Sequence, residues 1–127
     1  MGACNKSTVK PQLESGDTSD TVLVDLTILS TATPANISQG QNIVSNVRCA
    51  GSNLCYNFAK FEVAETGARQ FEIKAKSTFP TGSDIGCFEA IYYKDTTFEI
   101  KNPASGQYVL KFLNNNQIFK IDTVQVD

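Results

Sequence analysis

The heptapeptide Gln70-Phe71-Glu72-Ile73-Lys74-Ala75-Lys76 alternates apolar and charged side chains after its first residue. Successive side chains of a β-strand point to opposite faces of the sheet, so Phe71, Ile73 and Ala75 share one face. The charged side chains share the other face, which must meet water. The heptapeptide therefore predicts a strand that covers a core on one side and is solvated on the other.

The same two-residue period recurs before and after this heptapeptide. No segment shows a sustained helical period, and turn residues such as Asn, Gly, Pro and Ser separate the alternating segments. The predicted strands cover residues 21–29, 43–49, 54–63, 70–76, 86–93, 97–101, 108–112 and a last strand that ends near residue 126.

The last strand contains a change of phase. Phe119 and Ile121 share one parity, whereas Val124 and Val126 have the other. A β-bulge restores the inward direction of apolar side chains after such a change, so we predict an irregularity near Asp122-Thr123.

Seven or eight short strands in a chain of 127 residues predict an all-β protein with one antiparallel β-sandwich domain, residues 21–127. Apolar residues make up 41% of the chain, which is enough for a core of ordinary size. Residues 1–20 are polar apart from a few side chains such as Val9 and Leu13. Because such a segment buries too little apolar surface to fold, we expect a disordered N-terminal tether.

The residue inventory excludes several kinds of function. The chain has no histidine, which removes the commonest general base and the commonest metal ligand. The 11 Lys and Arg residues are scattered and the net charge is −2, so no basic face for nucleic acid is expected. No run of 18 apolar residues occurs, so any membrane anchor would be covalent. We expect no enzymatic activity, no cofactor and no metal.

The N-terminal sequence points to a lipid anchor. The residues Gly2-Ala3-Cys4 resemble the end of a bacterial lipobox, in which a cysteine after small residues becomes the lipidated first residue of the mature protein. The resemblance implies that Cys4 carries a lipid. It also implies export to a compartment in which disulfides form.

Three further cysteines, Cys49, Cys55 and Cys87, allow one intramolecular disulfide and leave one thiol. Cys49 and Cys55 flank a turn-like stretch, which favours that pair across a hairpin. A bridge from either of them to Cys87 would close a longer loop, and the three pairings stay open.

The segment Ser105-Gly106-Gln107-Tyr108-Val109-Leu110 resembles the start of the penultimate strand in many bacterial immunoglobulin-like domains. The resemblance implies an immunoglobulin-like sandwich, in which Tyr108 forms a tyrosine corner through its hydroxyl. The chain has no tryptophan, so the buried Trp of antibody domains is missing.

Cys4-Asn5-Lys6, the polar tether and the short β domain together resemble small exported lipoproteins of Bacteroidetes. The resemblance implies an outer-membrane lipoprotein of the cell envelope that faces the periplasm or the outside. The O-glycosylation signature of that phylum, Asp followed by Ser or Thr and then an apolar residue or Thr, is matched at Thr21, Thr96 and Thr123.

The leading functional hypothesis is a non-catalytic, lipid-anchored binding or accessory module for an unknown protein or glycan partner. Two alternatives are a glycan-binding module, with Tyr56, Tyr92 and Tyr93 as ring platforms, and a protease inhibitor with residues 77–85 as its bait loop. Residues of two loops are the candidates for contact with a partner: Asn53, Leu54, Phe79 and Asp84.

Overall fold

The structure is a computed structural model, and it describes residues 21–82 and 86–127. Within these residues the chain forms nine strands and no helix, which confirms the all-β prediction. Residues 1–20, the predicted tether, lie outside the described residues. In chain order the strands are β1 (Thr21–Asp25), β2 (Thr27–Ala32), β3 (Asn36–Ile37), β4 (Ile43–Gly51), β5 (Asn57–Gly67), β6 (Gln70–Pro80), β7 (Tyr92–Ile100), β8 (Gly106–Asn114) and β9 (Gln117–Val126).

The nine strands form two sheets that pack as a sandwich. The large sheet has the order β1-β6-β8-β9-β3, and β5 also pairs with β6. The small sheet has the order β2-β4-β7. Most neighbours are antiparallel, as predicted, but β6 and β8 pair in parallel, and so do β3 and β9.

The first predicted strand crosses between the two sheets. Residues 21–29 alternate without interruption, yet β1 pairs with β6 in the large sheet and β2 pairs with β4 in the small sheet. Leu26 is the crossing point: it is buried, and its N–H donates to the Ala75 carbonyl at 2.9 Å. This crossing and the short β3 explain why the structure has more strands than the sequence predicts.

Inward-facing side chains of both sheets form one core. Leu110 and Phe112 of the large sheet and Ile28 and Val47 of the small sheet are almost completely buried in it. Phe98 contacts Phe112 edge-on, with ring centroids 6.5 Å apart. Each large apolar side chain buried in this way stabilises the fold by about 1.5–3 kcal/mol.

The strand predicted over residues 86–93 is wrong for most of its length. Residues 86–91 form an irregular connection, and β7 starts only at Tyr92, where it pairs with Gly51 of β4. From there the strand runs to Ile100, without the break that separates the predicted strands 86–93 and 97–101.

The predicted bulge exists, but three residues earlier than expected. Lys120 pairs with Phe112 and Ile118 pairs with Leu113, so Phe119 is the extra residue of β9. Phe119 and Ile121 consequently face solvent instead of the core. Asp122 shares the inner parity with Val124, and the hydroxyls of Thr31 in β2 and of Thr33 just after β2 donate to its carboxylate.

Candidate functional site

A disulfide joins two loops at one end of the sandwich. Cys55 follows β4 and Cys87 precedes β7, with their Cα atoms 5.5 Å apart. The preference for a Cys49–Cys55 pair is therefore wrong. Cys49 lies on the inner face of β4 and is fully buried, so strand alternation directs its thiol into the core and away from the loop that carries Cys55.

Exposed apolar side chains lie close to the disulfide in the sequence. Phe88 is 80% exposed, Ile91 54% and Leu54 47%. The Leu54 N–H donates to the Phe88 carbonyl at 3.1 Å, so the two loops are joined by a hydrogen bond as well as by the disulfide. We call Leu54, Cys55, Cys87, Phe88 and Ile91 the tip.

The loop residues predicted to contact a partner have different positions. Leu54 belongs to the tip, and the Asn53 side-chain oxygen accepts the Cys55 N–H at 2.9 Å in an Asx turn that shapes the loop. Phe79 is half-buried at the end of β6 and packs against Tyr56, with ring centroids 4.9 Å apart. Asp84 lies outside the described residues.

Reasoning from the sequence did not identify Phe88 as a surface residue. Residues 86–93 are rich in apolar and aromatic side chains, which predicts a strand, and that interpretation places the Phe88 ring in a sheet. The adjacent Cys87 could have indicated that Phe88 lies on a loop, because a disulfide that joins two loops places the neighbouring residues on those loops.

The tip lies at the end of the sandwich where the described chain begins. Thr21 pairs with Pro80 and Val22 with Phe79, at the same end of β6 that continues into residues 81–91. Thr21, the first residue that the structure describes, therefore lies on the side of the tip.

The outer face of the small sheet carries an open trough of about 610 Å³. Strand register places Arg48 between Ser30 and Asp95 in one row, and Asn46 pairs with Thr97 in the next. Arg48 lies 3.8 Å from Asp95 in a solvent-exposed ion pair. The trough is lined as well by Thr31, Ala32, Val47 and Thr96. We call its outward-facing polar side chains, Ser30, Asn46, Arg48, Asp95 and Thr97, the polar trough.

The three tyrosines predicted as ring platforms are in different environments. Tyr93 is 52% exposed, and the Arg48 guanidinium carbon lies 4.7 Å from its ring centroid. The Tyr92 hydroxyl accepts the Phe58 N–H at 2.9 Å, on the other side of β7. The Tyr56 ring lies so close to Gly51 that a Cβ there would overlap it. Tyr93 alone of the three is adjacent to the polar trough.

Tyr108 is buried in the core and stacks on Phe71, with ring centroids 6.3 Å apart and planes at 3°. Its hydroxyl makes no hydrogen bond to another described residue. Packing therefore holds the ring, and the tyrosine-corner hydrogen bond stays a prediction.

The threonines of the O-glycosylation signature differ in exposure. Thr21 and Thr123 are exposed, whereas Thr96 is half-buried within β7, on the strand face that also carries Phe98. A sugar would meet less obstruction at the first two positions. Cys4, the predicted lipidation site, lies outside the described residues.

The predicted bait loop begins inside a strand. Ser77 is buried in β6, where its hydroxyl accepts the Asn57 N–H at 2.8 Å, and β6 continues to Pro80. Residues 77–80 are therefore paired backbone. They do not form an exposed loop.

Two observations concern metal and membrane. The described residues contain no group of three or more His, Cys, Asp or Glu side chains placed to hold a metal ion. In the same part of the chain there is no helix with the length and apolarity needed to cross a membrane.

The two packed sheets define a β-sandwich domain. Residues 46–126 match the family model described as the ORF11 beta-sandwich domain, and these residues make up well over half of the chain. The protein belongs to that family. No curated protein and no solved structure gives a significant match.

Proposed function

We propose that the protein is a non-catalytic, lipid-anchored binding module of the bacterial cell envelope that engages a protein partner through its tip. The observation that carries the proposal is the exposure of Leu54, Phe88 and Ile91 beside a disulfide. Exposed apolar groups of this kind are typical of interaction sites.

The covalent link favours binding at the tip because it reduces the cost of ordering the loops. Loops that become ordered on association lose conformational entropy, which weakens binding. The Cys55–Cys87 disulfide and the hydrogen bond between Leu54 and Phe88 limit that loss. Among the side chains of the tip, Phe88 has the largest exposed fraction. Aromatic side chains dominate the energetics of interfaces.

The distribution of ionisable groups supports a non-catalytic role. Glu62 lies exposed on β5, and the exposed Glu99 accepts a hydrogen bond from Asn42 at 2.9 Å. Acid-base catalysis by carboxylates needs a pair of them in a shared cleft, and these two lie on different sheets.

The tip and the predicted lipid anchor are connected to the same end of the domain. A lipid on Cys4 would connect to the domain at Thr21, on the side of the tip. The proposed partner is an envelope protein on either face of the outer membrane.

The immunoglobulin-like relationship is a further part of the proposal. Residues 105–110, which resemble that class, lead into β8 and bring Tyr108 into the core. The parallel pairing of β6 with β8 departs from a sandwich of two antiparallel sheets, so the relationship would be distant.

The anchor is tested by labelling the native bacterium with radioactive palmitate and comparing the wild-type chain with Cys4→Ser. We expect label and membrane fractionation for the wild type, and loss of both for the variant. A wild-type protein without label in the soluble fraction would contradict the anchor.

The tip is tested by photo-cross-linking in the same cells. A photoreactive amino acid replaces Phe88 in one strain and the exposed Val63 of β5 in a control strain. We expect a discrete cross-linked protein from position 88 that is absent at position 63 and disappears in a Cys55→Ser/Cys87→Ser background. Equal products from both positions, or none from position 88, would refute binding through the tip.

A further inference from the structure

The polar trough differs in character from the solvent-facing side of the large sheet. The large sheet presents long charged side chains, including Lys60, Glu62 and Lys74. Around Arg48 and Asp95 the small sheet presents the smaller side chains of Ser30, Ala32, Asn46 and Thr97, which leave the open volume of about 610 Å³. That volume lies within the range of small-molecule binding sites.

The hydrogen-bonding groups of the trough include both donors and acceptors. Arg48 only donates and the Asp95 carboxylate only accepts, whereas the Asn46 amide does both. The hydroxyls of Ser30 and Thr97 also donate and accept. A carbohydrate presents adjacent hydroxyls that each donate and accept, so it matches such a surface better than a ligand with acceptors alone.

The charge of the trough argues for a neutral ligand. Arg48 and Asp95 are close enough to offset each other, with 3.8 Å between the guanidinium Nε and the carboxylate oxygen. An anionic group would be attracted by one and repelled by the other. Asp95 is 76% exposed on its side chain, so a ligand can reach its carboxylate.

Arg48 stacks on Tyr93 at one end of the polar trough. The Arg48 guanidinium lies over the Tyr93 ring, a contact that orders a long side chain and directs its N–H groups. About half of Tyr93 stays exposed, which places apolar surface next to polar groups. Sugars have both hydroxyl edges and apolar C–H faces, so such a combination suits them.

From these features we propose that the polar trough is a binding site for neutral carbohydrate, with Asn46, Arg48 and Asp95 as hydrogen-bonding residues and Tyr93 as the apolar wall. The site lies on the outer face of the small sheet, whereas the tip lies in the loops at the end of that sheet, and the site does not require a lipid on Cys4. It adds neutral carbohydrate to the ligands of the proposed binding module. The proposal does not depend on whether a partner binds at the tip.

The test starts with an array of neutral oligosaccharides built from glucose, mannose, galactose, xylose and N-acetylglucosamine. The probe is the full chain carrying Cys4→Ser. Positive oligosaccharides are then titrated into ¹⁵N-labelled protein. We expect binding to at least one structural class, with the largest amide shifts around Asn46 and Asp95.

Three variants, Asn46→Ala, Tyr93→Ala and Asp95→Ala, locate the site. Each should weaken binding roughly tenfold or more, because a bound hydroxyl or a C–H face loses its partner. Two controls, Glu62→Ala on the large sheet and Phe88→Ala at the tip, should bind as the parent does. Near-ultraviolet circular dichroism checks that every variant is folded.

Three outcomes would overturn the proposal. One is an array without signal at millimolar glycan. Another is binding that the three trough variants leave unchanged. A third is binding that Phe88→Ala abolishes, which would place the sugar at the tip. Loss of the tip cross-link in cells, by contrast, would leave this site intact.

Discussion

The side chain of Asn114 pairs with the backbone of Ile28 as a neighbouring strand would. Its oxygen accepts the Ile28 N–H at 2.8 Å, and its amide nitrogen donates to the Ile28 carbonyl at 3.0 Å. Asn114 ends β8 of the large sheet and Ile28 lies in β2 of the small sheet, so the two hydrogen bonds connect the layers. The irregular register of β2 begins at the same point, between Ile28 and Ser30.

Asn114→Ala should destabilise the fold, because it leaves the backbone groups of Ile28 without partners in a partly buried position. We expect the free energy of unfolding to fall by about 1–3 kcal/mol, measured by urea denaturation. The control is Gln107→Ala, at an exposed position of the same strand, which should change stability by about 0.5 kcal/mol or less. Equal effects of the two variants would refute the role of the Asn114 amide.

A second connection between the sheets is a carboxylate that accepts two hydroxyl groups. Asp122 of β9 is 10% exposed on its side chain, and one of its oxygens accepts from Thr31 at 2.7 Å and from Thr33 at 2.6 Å. The Thr33 hydroxyl also lies 2.6 Å from that of the buried Ser45. Lys120 lies 3.5 Å from the other carboxylate oxygen.

Asp122→Ala should be among the more damaging polar substitutions in the described chain. It leaves the hydroxyls of Thr31 and Thr33 without their acceptor, and we expect a loss of about 2–4 kcal/mol in thermal or urea unfolding. Asp95→Ala removes the same side chain from an exposed ion pair and should cost no more than about 1 kcal/mol. A loss at position 95 as large as that at 122 would contradict the importance of burial.

The fold could be predicted because its main signal is local. Along β8, Tyr108, Leu110 and Phe112 face the core as their alternation predicts, since a strand directs side chains by parity alone. The same signal cannot show where a strand changes sheets. Residues 21–29 alternate through Leu26 without a mark of the crossing, because both sheets need the same inward parity.

The candidate sites depend on contacts between distant parts of the chain, which alternation does not encode. The parity of β9 correctly indicates a bulge, but with the bulge at Phe119 Asp122 lies on the inner face, where the hydroxyls of Thr31 and Thr33 donate to its carboxylate. Likewise, the trough exists only because β2 and β7 both pair with β4. No spacing in the sequence indicates that register.

The Cys55–Cys87 disulfide should stabilise the whole domain as well as the tip. It links residues that are 32 positions apart, and closure of such a loop in the unfolded chain corresponds to about 2–4 kcal/mol. Reduction, or the Cys55→Ser/Cys87→Ser double variant, should lower the free energy of unfolding by that amount. If both forms unfold at the same denaturant concentration, the constraint has no thermodynamic effect.

Cys49 should be unreactive in the folded protein. Burial, with a smaller contribution from the negative charge of Asp95, raises the pKa of the Cys49 thiol from 9.0 to about 11. The thiolate is the reactive form, and a neutral buried thiol reacts slowly. In the Cys4→Ser variant, a thiol reagent should therefore detect no cysteine in the native state and one after unfolding. A native thiol that reacts at once would show that the Cys49 side chain is accessible.

The same thiol predicts a loss of stability in alkaline solution. Between pH 9.0 and about pH 11 the folded state keeps the Cys49 proton that the unfolded state has lost. The folded state then binds more protons, so the free energy of unfolding falls as the pH rises through this interval and is unaffected by Cys49 below it. Over this pH interval the titration of Cys49 lowers the free energy of unfolding by at most about 2–3 kcal/mol. The measurement is the difference between Cys4→Ser and Cys4→Ser/Cys49→Ala in urea unfolding at pH 8 to 11, which isolates the contribution of Cys49. That difference should shrink with rising pH, and a constant difference would mean that Cys49 titrates equally in both states.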